Sequence, residues 1–271
     1  MIRFRILHLA AGIQTDSAAL REDLARLTAL LPPAEGEGLD LVYRVEPEGE
    51  GFTLRVGGRW WEGLGRGDVF ATLEGDLSGR LLETEGCALF HAAALCREGK
   101  VYLFAGCSGA GKTTLTAALL KRGFTFLSDE YAPLSLEDRS VEPCPMPLKL
   151  LESTLQRVRP GPEIALLEHG FFGKGETVRY GVPNRKLVAA PGRYPLARLY
   201  WPWNRPELET QVHRPRPGVA VQQIMGATLN APLLGERAFE LAADLVSSIP
   251  CQNLVVGDIE QACRLVCDEA T

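Results

Sequence analysis

Residues 106–113, Gly-Cys-Ser-Gly-Ala-Gly-Lys-Thr, hold a set of groups suited to gripping a polyphosphate. Glycines let the backbone curl until several N–H groups point at phosphate oxygens. A lysine in the seventh place can reach the β- and γ-phosphates, and the hydroxyl after it can bind Mg²⁺. Gly106, Ser108, Gly109, Ala110, Gly111, Lys112, Thr113 and Thr114 are therefore the candidate nucleotide-binding residues. The chain has six lysines among 29 basic residues, which makes a lysine at this place a choice rather than filler. Asp129 and Glu130 follow Lys112 by only 17 and 18 positions. An acid so soon after such a loop suits a carboxylate acting on a second substrate in phosphoryl transfer.

A loop of this kind needs a strand to deliver it and a helix whose positive N-terminus faces the phosphates. The apolar run VYLFA (101–105) predicts the strand, and TTLTAALLKRG (113–123) predicts the helix, with Gly123 suited to its C-cap. FTFLS (124–128) predicts a returning strand. Strand–helix–strand units are parallel crossovers, so both strands end on one side and the acidic pair arrives at the mouth of the loop. Upstream, CALFHAAALCREGKVYLFAG predicts two strands joined at REGK.

The first third predicts a small α+β subdomain, residues 1–85: a strand over 2–9, a helix with leucines at 20, 24, 27, 30 and 31 capped by Asp16 or Ser17, three strands with a Gly57-Gly58 hairpin turn, and a helix with Phe70, Leu73, Leu77 and Leu81 on one face. Residues 141–150 are too proline-rich for a regular helix. Residues 169–186, with Gly170, Gly173, Gly175 and Gly181 among polar residues, read as a mobile loop suited to a lid. LARLYWPW predicts a late strand, and RAFELAADLVSSIP and DIEQACRLVCDEA predict closing helices.

The stretch LFHAAALCREGKVYLFAGCSGAGKTTLTAALLKRGFTFLSDE resembles the core of the HPr kinase/phosphorylase family and its kinase-like relatives, which share a phosphate-loop fold with phosphoenolpyruvate carboxykinase. In that family a His-bearing strand precedes the loop and an acidic pair closes the next strand; His91 and Asp129-Glu130 match. The resemblance implies an α/β kinase core over residues 86–271. It implies that Asp129 takes the proton of an acceptor serine hydroxyl, that Glu130 and Thr113 help hold Mg²⁺, and that His91 tunes or orients the base. Two departures stand out: the family's Asp-Asp is Asp129-Glu130 here, and its downstream Arg-Gly-Leu-Gly segment has no counterpart after the loop. Reverse phosphorylase activity, HPr as the substrate and hexamer formation are therefore not carried over.

The expected reaction is Mg²⁺-dependent transfer of the ATP γ-phosphate to a hydroxyl, a serine of a peptide or protein, with Asp129, His91 and Lys112 catalytic. A small-metabolite kinase and a non-catalytic nucleotide switch are the rival readings. Lys149, Arg179, Arg185 and Lys186 are candidate cations for the transferring phosphate, and Trp201 or Trp203 could stack a base. A net charge of −5 without charge blocks argues against nucleic acid and anionic membranes as partners. Nothing reads as a signal or a membrane span, and seven cysteines without a CxxC predict reduced thiols rather than a zinc site, so a cytoplasmic location is expected.

Overall fold

Local chemistry accounts for most elements along the chain. The computed structural model describes residues 1–36, 38–173 and 176–270, with the side chains of 168–173 and 176 outside the description. Strands β1 (Ile2–Ile6) and β2 (Leu9–Thr15) form a hairpin that turns at Leu7, φ 50°. The single strand expected over 2–9 is thus two, because no glycine or proline announces the turn. Helix α1 (Ala18–Thr28) starts where Ser17 Oγ accepts the Leu20 N–H, and it buries Leu20, Leu24 and Leu27. Strands β3 (Leu41–Glu48), β4 (Gly51–Val56) and β5 (Arg59–Leu64) follow, with Gly57 and Gly58 both at positive φ in the β4–β5 turn. Helix α2 (Arg66–Leu81) buries Phe70, Leu73, Leu77 and Leu81, the face its spacing defines.

Strands β6 (Cys87–Arg97) and β7 (Lys100–Ala105) make the expected hairpin, turning at Glu98-Gly99. Helix α3 (Lys112–Leu120) and strand β8 (Thr125–Ser128) complete the crossover. Then come β9 (Tyr131–Ser135), β10 (Ser140–Val141), β11 (Leu148–Leu151), α4 (Glu152–Arg157), β12 (Ile164–Gly173) and β13 (Glu176–Pro183). After a 3₁₀ turn at Arg185–Leu187 the chain forms β14 (Tyr194–Asn204), β15 (Gln211–His213), α5 (Pro217–Ala227), α6 (Ala231–Leu234), α7 (Glu236–Ser248), β16 (Cys251–Val256) and α8 (Ile259–Asp268). The fold is mixed α/β. Helix α5 carries a weak signal because Gly218 and Gly226 lower its propensity; its start is set by Pro217 in the first turn.

Contacts divide the chain into two compact units. The first comprises Met1–Leu81, Met146–Ser153 and Ile164–Pro183. Its five-stranded sheet runs β1-β2-β3-β4-β5, with β2 and β3 parallel and the other pairs antiparallel. An antiparallel sheet, β11-β13-β12, belongs to the same unit, and Tyr180 of β13 meets Phe70 of α2 edge-on at 5.1 Å. The expected division at 85/86 assigns both returning segments to the second domain; their apolar strands instead bury side chains on the first.

The loop expected over 169–186 is corrected by this hairpin: β12 and β13 pair from Ile164↔Pro183 to Gly173↔Glu176, though residues 174 and 175 lie outside the described ones. Gly181 marks close packing rather than mobility. A Cβ there would stand 2.7 Å from Leu150 Cδ1 and 2.9 Å from Ile164 Cγ2.

The second unit comprises Leu82–Pro145, Thr154–Glu163 and Asn184–Thr271. Its sheet runs β10-β9-β6-β7-β14-β16-β15, with β8 also paired to β6. Strand β6 lies between β7 and β8 and is antiparallel to both, so β7 and β8 end on the same side. Helices α5 and α7 cover the sheet through Ile224, Ala242 and Leu245 on Phe90, Leu103 and Leu199. Burying each such Phe or Leu contributes about 1.5–3 kcal/mol. Asn230, 1 % exposed, clamps the start of β6: its Oδ1 accepts the Leu89 N–H at 2.8 Å, and its Nδ2 donates to Thr84 O and Cys87 O at 2.7 and 2.9 Å. All seven cysteines are free thiols, and among the described residues no helix is long and apolar enough to cross a membrane.

Candidate functional site

The loop between β7 and α3 needs backbone angles that side chains resist. Gly109 and Gly111 sit at φ 85° and 98°, and Gly111 is the N-cap of α3. The chain turns from strand into helix within six residues, so the first N–H groups of α3 open toward the loop. Lys112 folds back across it. Its ammonium donates to Gly106 O at 2.7 Å and Cys107 O at 3.3 Å, and the residue is 7 % exposed. Burial lowers its pKa, while Asp129 and Glu130 act in the opposite direction. Gly109 and Ser108 are exposed at the tip of the loop, and Ala110 is buried beneath it.

The acidic pair sits on the bend between β8 and β9, closed by Ser128 Oγ accepting the Tyr131 N–H at 3.0 Å. Strand β6 spans this bend, pairing Ala94 with Ser128 and His91 with Tyr131. Asp129 is buried, and both of its oxygens are engaged. Thr113 Oγ1 donates to one at 2.6 Å and Thr116 Oγ1 to the other at 3.1 Å. The two hydroxyls stand three residues apart and share a helix face. Burial pushes the Asp129 carboxyl up to about 7, against the pull of these hydroxyls and of Lys112, with Glu130 adding to the rise. Glu130 is more open and holds His91 Nε2 at 3.3 Å.

Lys112, Thr113, Asp129, Glu130 and His91 thus gather where β7 and β8 end, beside the interior strand β6. His91 reaches Glu130, the neighbour of Asp129. The Thr114 hydroxyl shares a hydrogen bond with Thr154 of α4 at 3.3 Å, tying α4 to the first turn of α3. Of the other cation candidates, two belong to the first unit and two to the second. Lys149 pairs with the buried Glu74 at 3.0 Å inside the first unit, Arg179 is an exposed β13 residue of that unit, and Arg185 and Lys186 are exposed on the 3₁₀ turn. Trp201 is packed in the core, whereas Trp203 is half exposed and lies under the Arg205 guanidinium at 4.1 Å.

Three nearby residues went unread in the sequence. Thr116 was open to discovery through its spacing from Thr113. Asn204, at the end of β14, approaches the loop: a Cβ on Gly111 would be 3.7 Å from its own Cβ. Arg157 at the end of α4 donates to Asn204 Oδ1 at 3.1 Å, which brings a guanidinium beside the loop without any local signal.

Thr113, Asp129 and Glu130 offer only oxygen donors, a set that fits a hard cation such as Mg²⁺. Among the described residues no group of three or more His, Cys, Asp or Glu could hold a metal by itself. No protein-family model matches the chain, and no curated protein sequence matches it.

Proposed function

We propose that this protein is an ATP-dependent phosphotransferase of the HPr kinase-like type, built on a phosphate-loop kinase core, and that its acceptor is a serine hydroxyl of a peptide or protein. One observation carries the reading: the acid that follows β8 touches the hydroxyl that follows the loop lysine, Asp129 Oδ2 to Thr113 Oγ1 at 2.6 Å. A glycine loop, a lysine, a hydroxyl and a carboxylate pair at one point are the parts that γ-phosphoryl transfer requires.

In this reading the loop N–H groups and Lys112 bind the phosphates. Lys112 exchanges its two loop carbonyls for phosphate oxygens, which are stronger partners for an ammonium. Thr113 and Glu130 would hold Mg²⁺, which would supply charge neutralisation for the polyphosphate. Asp129, with a carboxyl pushed up to about 7, is poised to take a proton near neutral pH. His91 orients Glu130. Arg157, drawn to the loop by Asn204, is a cation suited to the transferring group.

The contact between Asp129 and Thr113 also favours a second division of labour. Asp129 would then secure Thr113 and the cation, and the more open Glu130, backed by His91, would accept the proton. Incubating the protein with ATP, Mg²⁺ and a pool of serine-containing peptides tests the function. Mass spectrometry should find one added phosphate on serine, absent with Lys112→Ala. Nucleotide binding without any transfer would favour the switch reading, and phosphorylation of a free metabolite alone would favour a small-molecule kinase.

A further inference from the structure

The outer face of the five-stranded sheet carries a charge arrangement that the fold itself does not need. Arg44 on β3 and Arg55 on β4 are direct cross-strand partners, and both are exposed. Like charges placed directly opposite on a sheet face repel and destabilise the pair. Arg44 has no ion pair among the described residues, and Arg55 has only a loose one, to Glu46 at 3.9 Å. The next partner across is Trp60 on β5, paired with Arg55 and 63 % exposed. Together with Val42 and the Gly57-Gly58 turn, these residues line a groove of about 280 Å³.

We propose that this groove is a docking site for an acidic, extended segment of a peptide or protein. Acidic residues two positions apart in an extended chain are separated by about 7 Å. That spacing suits two guanidinium groups on neighbouring strands, each able to take a carboxylate bidentately. Trp60 supplies an apolar surface for a side chain beside the acids. The charge pattern also limits the length of the acidic run. Glu46, Glu48 and Glu50 lie toward the β3–β4 turn, and Glu62 lies on β5 past Trp60. A polyanion running along the strands would meet these carboxylates within about two residues; a short acidic run would not.

The inference stands apart from the phosphoryl-transfer reading. The probe is a short fluorescent peptide of alternating Glu and Val, titrated with the full chain and followed by anisotropy. Its Lys-for-Glu counterpart and a labelled single-stranded oligothymidine serve as comparators. The Glu peptide should bind, and the double variant Arg44→Glu with Arg55→Glu should bind it about tenfold or more weakly. Trp60→Ala should weaken it severalfold. Arg44→Glu alone should leave the melting temperature equal or higher, because it turns a repelling pair into an attracting one, while still weakening the peptide. Lys112→Ala should bind the peptide like the parent protein, which separates this site from the glycine loop. Equal binding by the double variant, tighter binding of the oligothymidine or the Lys peptide, or no binding of the Glu peptide would each overturn the proposal.

Discussion

Asp129 and Asp76 are buried to nearly the same degree, 3 % and 6 % exposed, and the protein holds them in opposite ways. Asp76 in α2 accepts from Arg80 Nε at 2.7 Å, from the Tyr43 hydroxyl at 2.9 Å and from Arg59 at 3.1 Å. Burial alone would raise its pKa; the hydrogen bonds from Arg80 and Tyr43 outweigh that and hold the carboxyl below its ordinary value. Asp129 receives only two neutral hydroxyls, and burial prevails. A carboxylate paired with cations is settled and structural. One surrounded by hydroxyls, beside a lysine engaged with carbonyls, is left with a charge that a cation or a proton would relieve.

The sharpest way to break this contrast is Asp129→Asn. Phosphoryl transfer should fall by roughly 10²–10⁴ while nucleotide binding drops only modestly, as measured by single-turnover transfer and nucleotide titration. Raising the pH should not restore the rate. Glu130→Gln sharpens the division of roles: if it loses transfer at unchanged nucleotide affinity and Asp129→Asn loses nucleotide binding, the two acids exchange assignments.

Arg80→Met strikes the settled acid instead. It removes the main cation from Asp76 and should cost about 3 kcal/mol in denaturant unfolding, without altering transfer by the molecules that remain folded. The pH dependence separates the two acids again. The folded Asp129 holds a proton that the unfolded chain releases, so its stabilising contribution is complete below the ordinary value of 3.8 and lost as pH rises through about 7. Asp129→Asn should remove that loss, worth up to about 4 kcal/mol, and the variant should be the more stable protein above pH 7. Asp76 contributes above the ordinary carboxylate range, and its contribution fades as pH falls through its depressed value. The smallest effect is expected at Thr116→Val, which removes one of two hydroxyls from Asp129. Stability at neutral pH should fall by about 1 kcal/mol, and the acid limb of any transfer profile should move upward.

The loop and its flanking elements were legible because each step has a local signature. An apolar run precedes the glycines, a helical run follows Lys112, and Gly123, at φ 85°, stands just past α3. Ser17 and the Gly57-Gly58 turn were legible for the same reason. The segment 169–186 was misread because glycines have two meanings. Gly181 lies inside a strand where Leu150 and Ile164 leave no space for a side chain, and that space is defined by residues far along the chain. The ion pair of Lys149 has no local signature for a similar reason: its partner Glu74 lies 75 positions earlier.

Periodicity, capping and the order of residue types settle which segments become strands and helices and that an acid arrives beside the glycine loop, because those preferences act within a few neighbours. The tertiary structure decides the partners. It sets β6 between β7 and β8, aims the hydroxyls of Thr113 and Thr116 at one carboxylate, gives His91 to Glu130, and brings Arg157 to the loop through Asn204. It also decides what each charge costs, since the burial that lifts Asp129 to about 7 exists only once the chain has folded around it.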